Sequence, residues 1–250
     1  MSAGSRHGDT SVETGMIEHP LILLPALGSD ERLWQPLVER VDGLVECRVL
    51  RGEGETIAAM AASVLERAPD RFYLAGNSMG GYVSLEIALN HPERVLGLAL
   101  LNTSAIAAPP DRRANSLAAI DAVASGQFEA VAARISAAVA PDRPEIAALA
   151  ARMAIDLGPD VFVIQQRAVA DRGDRRAELA NLGIPVLVVA GSADAITPPR
   201  LSEEMAALIP EARLRVLDGI GHLSPVEAPA MVASALLSWL LGISGRGDAR

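Results

Sequence analysis

The chain has 250 residues, half of them apolar, which suffices to bury the core of one large domain or of one domain carrying an insertion. Its formal charge of −9, with every one of the 22 basic residues an arginine, argues against nucleic acid or an anionic membrane surface as partner, since both call for a basic face. No apolar run approaches the roughly 18 residues of a membrane span, and the start MSAGSRHGDTSVETGM has no secretory stretch, so the expected setting is cytoplasmic. The single cysteine, Cys47, excludes an internal disulfide, and its place in the apolar run from Val45 to Leu50 predicts an inert core residue.

Residues 1–16 carry no periodicity and read as a tail, as do 244–250. The first continuous apolar run, Leu21-Ile22-Leu23-Leu24, is of the kind a doubly covered parallel strand shows. It ends in Pro25-Ala26-Leu27-Gly28-Ser29-Asp30, where Ser29 or Asp30 can cap a helix whose apolar face is Leu33, Trp34, Leu37, Val38 and Val41. A second strand, Val45 to Leu50, leads through a turn to a helix from Thr56 to about Arg67. The third strand is Phe72 to Ala75, and the fourth, Val95 to Leu101, ends at Asn102-Thr103-Ser104.

From about Ala107 to Leu182 no run looks like a strand. Four alanine-rich helical segments take its place: Asn115 to Ala124, Phe128 to Val139, Pro144 to Leu157 and Pro159 to Arg172. This reads as a helical insertion, residues 107–182, in a core of 17–106 and 183–243. Strand character returns at Pro185 to Ala190 and at Arg213 to Leu217, with a helix opened by Pro198-Pro199 between them and a last amphipathic helix from Pro229 to Leu241. Strands alternating with helices predict an α/β fold with a mostly parallel, doubly wound sheet. Ligands of such sheets bind beyond the carboxyl ends of the strands, the edge to which the loops carrying Leu27, Ser78 and Asp194 all belong.

Between the third strand and a helix-patterned run from Tyr82 to Asn90 lies Gly76-Asn77-Ser78-Met79-Gly80-Gly81, a G-x-S-x-G string at a strand-to-helix turn. A nucleophile on so tight a bend leaves no room for side chains two positions before and after it, and Gly76 and Gly80 supply that room. The bend exposes the Ser78 hydroxyl and aims the Met79 amide, at the positive end of the helix, toward a developing oxyanion. A serine needs an adjacent base, and the base an orienting carboxylate. Of the four histidines, His222 alone stands in a glycine-flanked loop after a strand. Asp194, in the turn Gly191-Ser192-Ala193-Asp194, is the carboxylate candidate; a plain turn-forming aspartate is the competing reading. The end of the fourth strand, another place for the acid, holds Asn102 and Thr103 instead.

The stretch Gly76 to Gly81, the run His91-Pro92-Glu93-Arg94-Val95, the Gly191 to Asp194 turn before Thr197-Pro198-Pro199, and Gly221-His222-Leu223 through Pro229 together resemble the α/β-hydrolase superfamily. The order Ser, Asp, His is that of the family. The resemblance implies hydrolysis through a serine triad, a helical cap corresponding to the insertion, and a pocket between cap and core. Many members carry His-Gly after the first of these strands, and the next backbone amide completes the oxyanion hole. Pro25-Ala26 stands there in this chain, so the corresponding donor is Leu27.

These readings predict a cofactor-independent serine hydrolase of the carboxylesterase kind, acting on a small, apolar ester, thioester or lactone. In it Ser78 attacks, His222 moves the proton, Asp194 orients it, and the amides of Leu27 and Met79 hold the oxyanion. In the insertion, Phe162 is a candidate pocket wall and Gln165 a candidate polar contact, against core packing for the first and a solvated face Gln165-Gln166-Arg167 for the second. The same architecture serves C–C bond hydrolysis and lyase chemistry, and a ligand receptor with slow turnover is the reading from a different class. No cluster of His, Cys and carboxylates has metal-ligand spacing, so no metal is expected.

Overall fold

The computed structural model describes residues 17–244. Of the predicted tails, only Ser244 falls among these residues, where it closes the last helix; the rest of both tails lies outside them. Six strands, β1 (Ile17–Leu24), β2 (Val45–Val49), β3 (Phe72–Asn77), β4 (Val95–Leu101), β5 (Val186–Gly191) and β6 (Arg213–Leu217), form one sheet in the order β2-β1-β3-β4-β5-β6. Every pairing is parallel. Burial explains their sequences: β3 and β5 are buried along their whole length and read as unbroken apolar runs, while the edge strands β2 and β6 show polar residues to solvent.

Successive residues of a strand face opposite sides of the sheet, and the two sides have separate cores. Leu21 and Leu23 pack with α1 (Gln35–Val41) and with Leu236, Trp239 and Leu240 of α10 (Pro229–Ser244). Ile22 and Leu24 pack with α2 (Ile57–Arg67), α3 (Met79–Asn90) and α8 (Pro199–Leu208). Thr56 caps α2, accepting the Ala59 amide at 3.0 Å. The chain winds outward from β1 to β2 and then returns to the other side of β1 with β3, so the winding reverses between β1 and β3. A crevice opens at that reversal, beyond the strands' carboxyl ends.

Between β4 and β5 stand α4 (Pro110–Ala124), α5 (Phe128–Val139), α6 (Pro144–Leu157) and α7 (Pro159–Ala170). Proline opens α4, α6 and α7, where its missing N–H would have no intrahelical partner anyway. Helix α5 packs on α6 and α4 on α7 around a small cluster of Ala119, Val131, Ala132, Ala154 and Phe162. The rings of Phe128 and Phe162 meet edge to face, centroids 5.6 Å apart.

The boundaries of α5 and α6 fall where the sequence predicts them. Helix α4 starts at Pro110 rather than Asn115, because Asp111, Arg112 and Arg113 hide its first turn behind a polar run. Where one helix was expected after Asp30, the chain makes a 3-10 turn at Glu31–Leu33 and then α1, and Trp34 between them is buried in the core as predicted. Cys47 is half-buried on an edge strand rather than in the core; burial first, then the neighbouring Glu46, push its thiol up to about 11, which keeps it unreactive.

Candidate active site

At the end of β3 the chain turns into α3 through Ser78, whose φ of 54° and ψ of −114° are rare for a residue with a side chain. The bend is held from three sides: the Ser78 amide donates to Leu101 O at 3.0 Å, and its carbonyl accepts from the Gly81 amide at 2.9 Å and from Thr103 Oγ1 at 2.8 Å. A Cβ on Gly76 would run into the Gly80 carbonyl, and one on Gly80 into the carbonyls of Leu24 and Pro25. Both glycines are therefore steric requirements of the turn, and the second also lets the loop after β1 lie directly on the start of α3.

His222, in the loop after β6, places Nε2 2.8 Å from Ser78 Oγ and Nδ1 2.9 Å from Asp194 Oδ2. The three predicted side chains thus meet in one line, from the loops after β3, β5 and β6. His222 and Asp194 are each 3% exposed, so the link between them is shielded from water. Asp194 accepts at Oδ1 from the amides of Ile196 and Thr197, and at Oδ2 from Thr197 Oγ1 and Asn102 Nδ2. Burial alone would push this carboxyl up; the charge and hydrogen bond of His222, the Thr197 amide and Asn102 outweigh it and hold Asp194 below its ordinary value.

Several of these supports escaped sequence reasoning. Asn102 and Thr103 hold the acid and the elbow in place, Asn102 in the left-handed region at a φ of 46° with its amide also reaching Gly221 O at 3.0 Å. Asn77 ties the His222 carbonyl at 3.2 Å. Glu227, in the short helix α9 (Ser224–Glu227), accepts from the amides on either side of His222, Gly221 at Oε2 and Leu223 at Oε1, each 2.8 Å. Position at the end of β4 was the available signal for Asn102; for Glu227, a carboxylate one helical turn after the histidine, there was none.

After β1, Ala26 to Ser29 form a turn closed by the Ser29 amide on Ala26 O, with Gly28 at a φ of 66°. The left-handed residue is the glycine, so Ala26 in place of the family's glycine carries no strain. Gln165 is buried, and its Oε1 accepts the Gly28 amide at 2.8 Å. It braces this loop from α7 and does not line the cavity, which Gln166 does; of the face read as solvated, only Arg167 is exposed. Leu27 and Met79, the two predicted oxyanion donors, both line the cavity beside Ser78. The Met79 amide, first of α3, has no acceptor within its own helix.

The cavity measures about 910 Å³ and lies between the strand ends and α4 to α7. Ser78 and His222 face it from the sheet side, and Ile135, Val139 and Phe162 from the helices. Among the described residues no group of three or more His, Cys, Asp or Glu is placed to hold a metal ion, and no helix is long and apolar enough to cross a membrane.

A reversal crevice in a parallel sheet, with an elbow serine, a buried histidine and a carboxylate delivered to it by three strand-end loops, defines the class of α/β hydrolytic enzymes. The comparisons agree: the α/β-hydrolase-fold family matches residues 53–229, and the chain belongs to that family. It is 27% identical to the pimeloyl-[acyl-carrier protein] methyl ester esterase of Edwardsiella ictaluri, over 92% of this chain and 96% of that one. Among solved structures it resembles a thermophilic esterase from Thermogutta terrifontis, determined with malate bound (TM-score 0.80, 26% identity, 90% of each chain). It also resembles the enol-lactonase of Burkholderia xenovorans LB400 (TM-score 0.77, 25% identity, 95% of this chain and 94% of that one).

Proposed function

We propose that the protein is a serine hydrolase that cleaves a small carboxylic ester, thioester or lactone through an acyl-enzyme, without a cofactor. The observation that carries this is the unbroken line from Ser78 Oγ through both nitrogens of His222 to Asp194, at 2.8 and 2.9 Å. Ser78 Oγ attacks the carbonyl carbon while its proton passes to His222 Nε2, and the carbonyl oxygen takes the negative charge. The amides of Leu27 and Met79 receive that oxyanion, supported by the N-terminal end of α3. The bond to the leaving group then breaks and His222 returns the proton to it. Water attacks the acyl-serine with His222 again as base, releasing the acid and restoring Ser78.

The esterase and lactonase relatives support an ester or lactone as the reacting group. Ser78→Ala removes an oxygen that already faces the cavity and so opens no packing void, and the fold should persist while turnover of 4-nitrophenyl acyl esters falls on the order of a thousandfold or more. Covalent labelling of Ser78 by a fluorophosphonate should accompany activity and disappear in the variant. Retention of more than about a tenth of wild-type turnover would overturn the assignment.

A further inference from the structure

Four arginines line the same cavity as Ser78 and His222: Arg134 and Arg200 are exposed, while Arg112 and Arg172 are half-buried and have no acidic partner. Arg112 comes from α4 and donates through Nη2 to the carbonyls of Ile196 (2.9 Å) and Ala195 (3.4 Å), in the loop just past Asp194. Arg172 follows α7 and donates to the carbonyls of Ile106 (3.2 Å) and Val169 (2.7 Å). Its guanidinium lies over the ring of Tyr82, 4.4 Å from the centroid, one helical turn beyond Ser78 on α3.

Of the other arginines around the helical segment, Arg113 pairs with Asp171, Arg175 with Glu86 and Glu178, and Arg143 with Glu227, while Arg134, Arg152 and Arg167 are exposed to solvent. Among the described residues no carboxylate is within ion-pair distance of Arg112 or Arg172, and Asp111, which also lines the cavity, pairs with neither. Burial is the main cause that holds Arg172 below the ordinary arginine value; Tyr82 works against it, and Arg112 adds like-charge repulsion. Arginine stays protonated under such pressure, so these two half-buried cations face the cavity with only carbonyls and a ring as protein partners. Beside them the Ser104 hydroxyl, buried and lining the same cavity, has no hydrogen-bond partner. A buried donor left unpaired at a cavity wall marks a place where a ligand atom completes the set.

We propose that this corner is a subsite for an anionic group, carboxylate or phosphate, carried by the substrate away from the bond that is cleaved. Arg112 and Arg172 supply the charge, Ser104 a neutral donor, and the apolar wall from Leu27 to Phe162 takes the intervening methylene chain. The inference rests on the hydrolase reading above and narrows its substrate from a small ester, thioester or lactone to one with an anionic terminus, in place of the apolar one expected from the sequence.

Three methyl esters of matched acyl length decide it: methyl hexanoate, monomethyl adipate, and methyl hexanoate bearing a 6-phosphate, with methanol release as readout. At low salt kcat/KM for one of the charged esters should exceed that for methyl hexanoate by about tenfold or more, and the better of the two identifies the anion. Arg112→Gln and Arg172→Met should each cut the charged-to-neutral ratio by about tenfold, with Arg172→Lys keeping part of it. Arg113→Gln, on the outer side of α4, should leave the ratio unchanged. The ratio isolates the subsite, because a variant that merely loosens the fold lowers both substrates together.

A second readout needs no turnover. Adipate and 6-phosphohexanoate, titrated calorimetrically into Ser78→Ala, should bind, and binding should weaken about tenfold on adding Arg112→Gln. The proposal fails if neither charged ester is preferred, or if the arginine variants depress charged and neutral esters equally. Methyl hexanoate hydrolysed in a Ser78-dependent way without any preference for charge overturns the subsite alone. Absence of hydrolysis of all three esters together with absence of fluorophosphonate labelling overturns the hydrolase reading itself.

Discussion

The sheet and the four inserted helices are built to different standards. At the sheet's carboxyl edge polar groups are satisfied several times over: Asp194 alone accepts from five donors, and the loop of His222 is tied by Asn77, Asn102 and Glu227. The helices α4 to α7 hold together through alanines and one aromatic pair, and much of their surface faces solvent or the cavity. On the proposed function, chemistry that tolerates an error of only a few tenths of an ångström falls where the structure is overdetermined, and the wall that decides what fits falls where side chains can change at small cost. Damage should therefore be steep and independent of substrate at the sheet edge, and shallow and substrate-dependent in the helices.

The largest effect is expected at Asp194. Every partner of its carboxylate is a donor, so Asp194→Asn turns an NH₂ toward a donor and lets His222 settle in the wrong tautomer. In a triad of the chymotrypsin kind that change costs on the order of 10⁴ in kcat, and the same scale is expected here. Near wild-type turnover in the variant would remove Asp194 from the triad. The same carboxyl sets an acid limit on stability. Because its folded value is depressed, its contribution is present above the ordinary aspartate range, about 4, and is lost as pH falls through the lower folded value. Urea midpoints between about pH 5 and pH 2 should thus fall less steeply for Asp194→Asn than for wild type.

Next in size comes Glu227, which touches no reacting atom and acts by positioning His222. Glu227→Ala leaves two backbone amides beside the histidine without acceptors, and kcat should fall about 10- to 100-fold with KM little changed. Glu227→Gln keeps one acceptor oxygen and should fall between the two. If Glu227→Ala raised KM and left kcat intact, the carboxylate would belong to the pocket rather than to the histidine loop.

These two residues also mark how far the sequence could be read. The meeting of Ser78, His222 and Asp194 was legible because each sits in a loop whose glycines or neighbours announce a tight turn, and because strand order puts those loops on one edge. The helices α5 and α6 were legible from proline and glycine at their ends. Glu227 and Gln165 were not, since their roles depend on which backbone amide a side chain meets across the fold, at separations that no local periodicity reports. The arginines of the cavity wall were hidden for a related reason: with 22 arginines in the chain, only three-dimensional placement shows that Arg112 and Arg172 stand half-buried at a cavity without a carboxylate beside them.

A smaller effect is expected from Phe162, buried against Phe128 and facing the cavity. Phe162→Leu loses the ring contact, costing about 1 kcal/mol of stability, and opens the wall. In a series of acyl esters from two to ten carbons, the preferred length should move toward longer chains, with relative rates changing several-fold and Ser78 labelling retained. Equal change across the whole series would mean that Phe162 supports the fold without shaping the substrate.

The smallest effect tests the seam between the two regions. Arg143, at the start of α6, reaches the histidine loop from the helical side, with Nε 3.2 Å from Glu227 Oε2 and Nη2 3.2 Å from Gly219 O. Its partner carboxylate is buried, but Arg143 itself is about a third exposed, so water and salt weaken the pair to within about 1 kcal/mol. Glu227 keeps both backbone amides when the arginine is gone, and those amides, not the arginine, fix His222. Arg143→Gln should therefore lower kcat by no more than about two- to fivefold, and the difference from wild type should shrink as salt rises from about 0.05 to 0.5 M. Stopped assays across that salt range, with KM and kcat resolved separately, measure both. A loss as large as that of Glu227→Ala, persisting at high salt, would show that the inserted helices hold the histidine in place, and the division between a rigid catalytic edge and a tolerant wall would not stand.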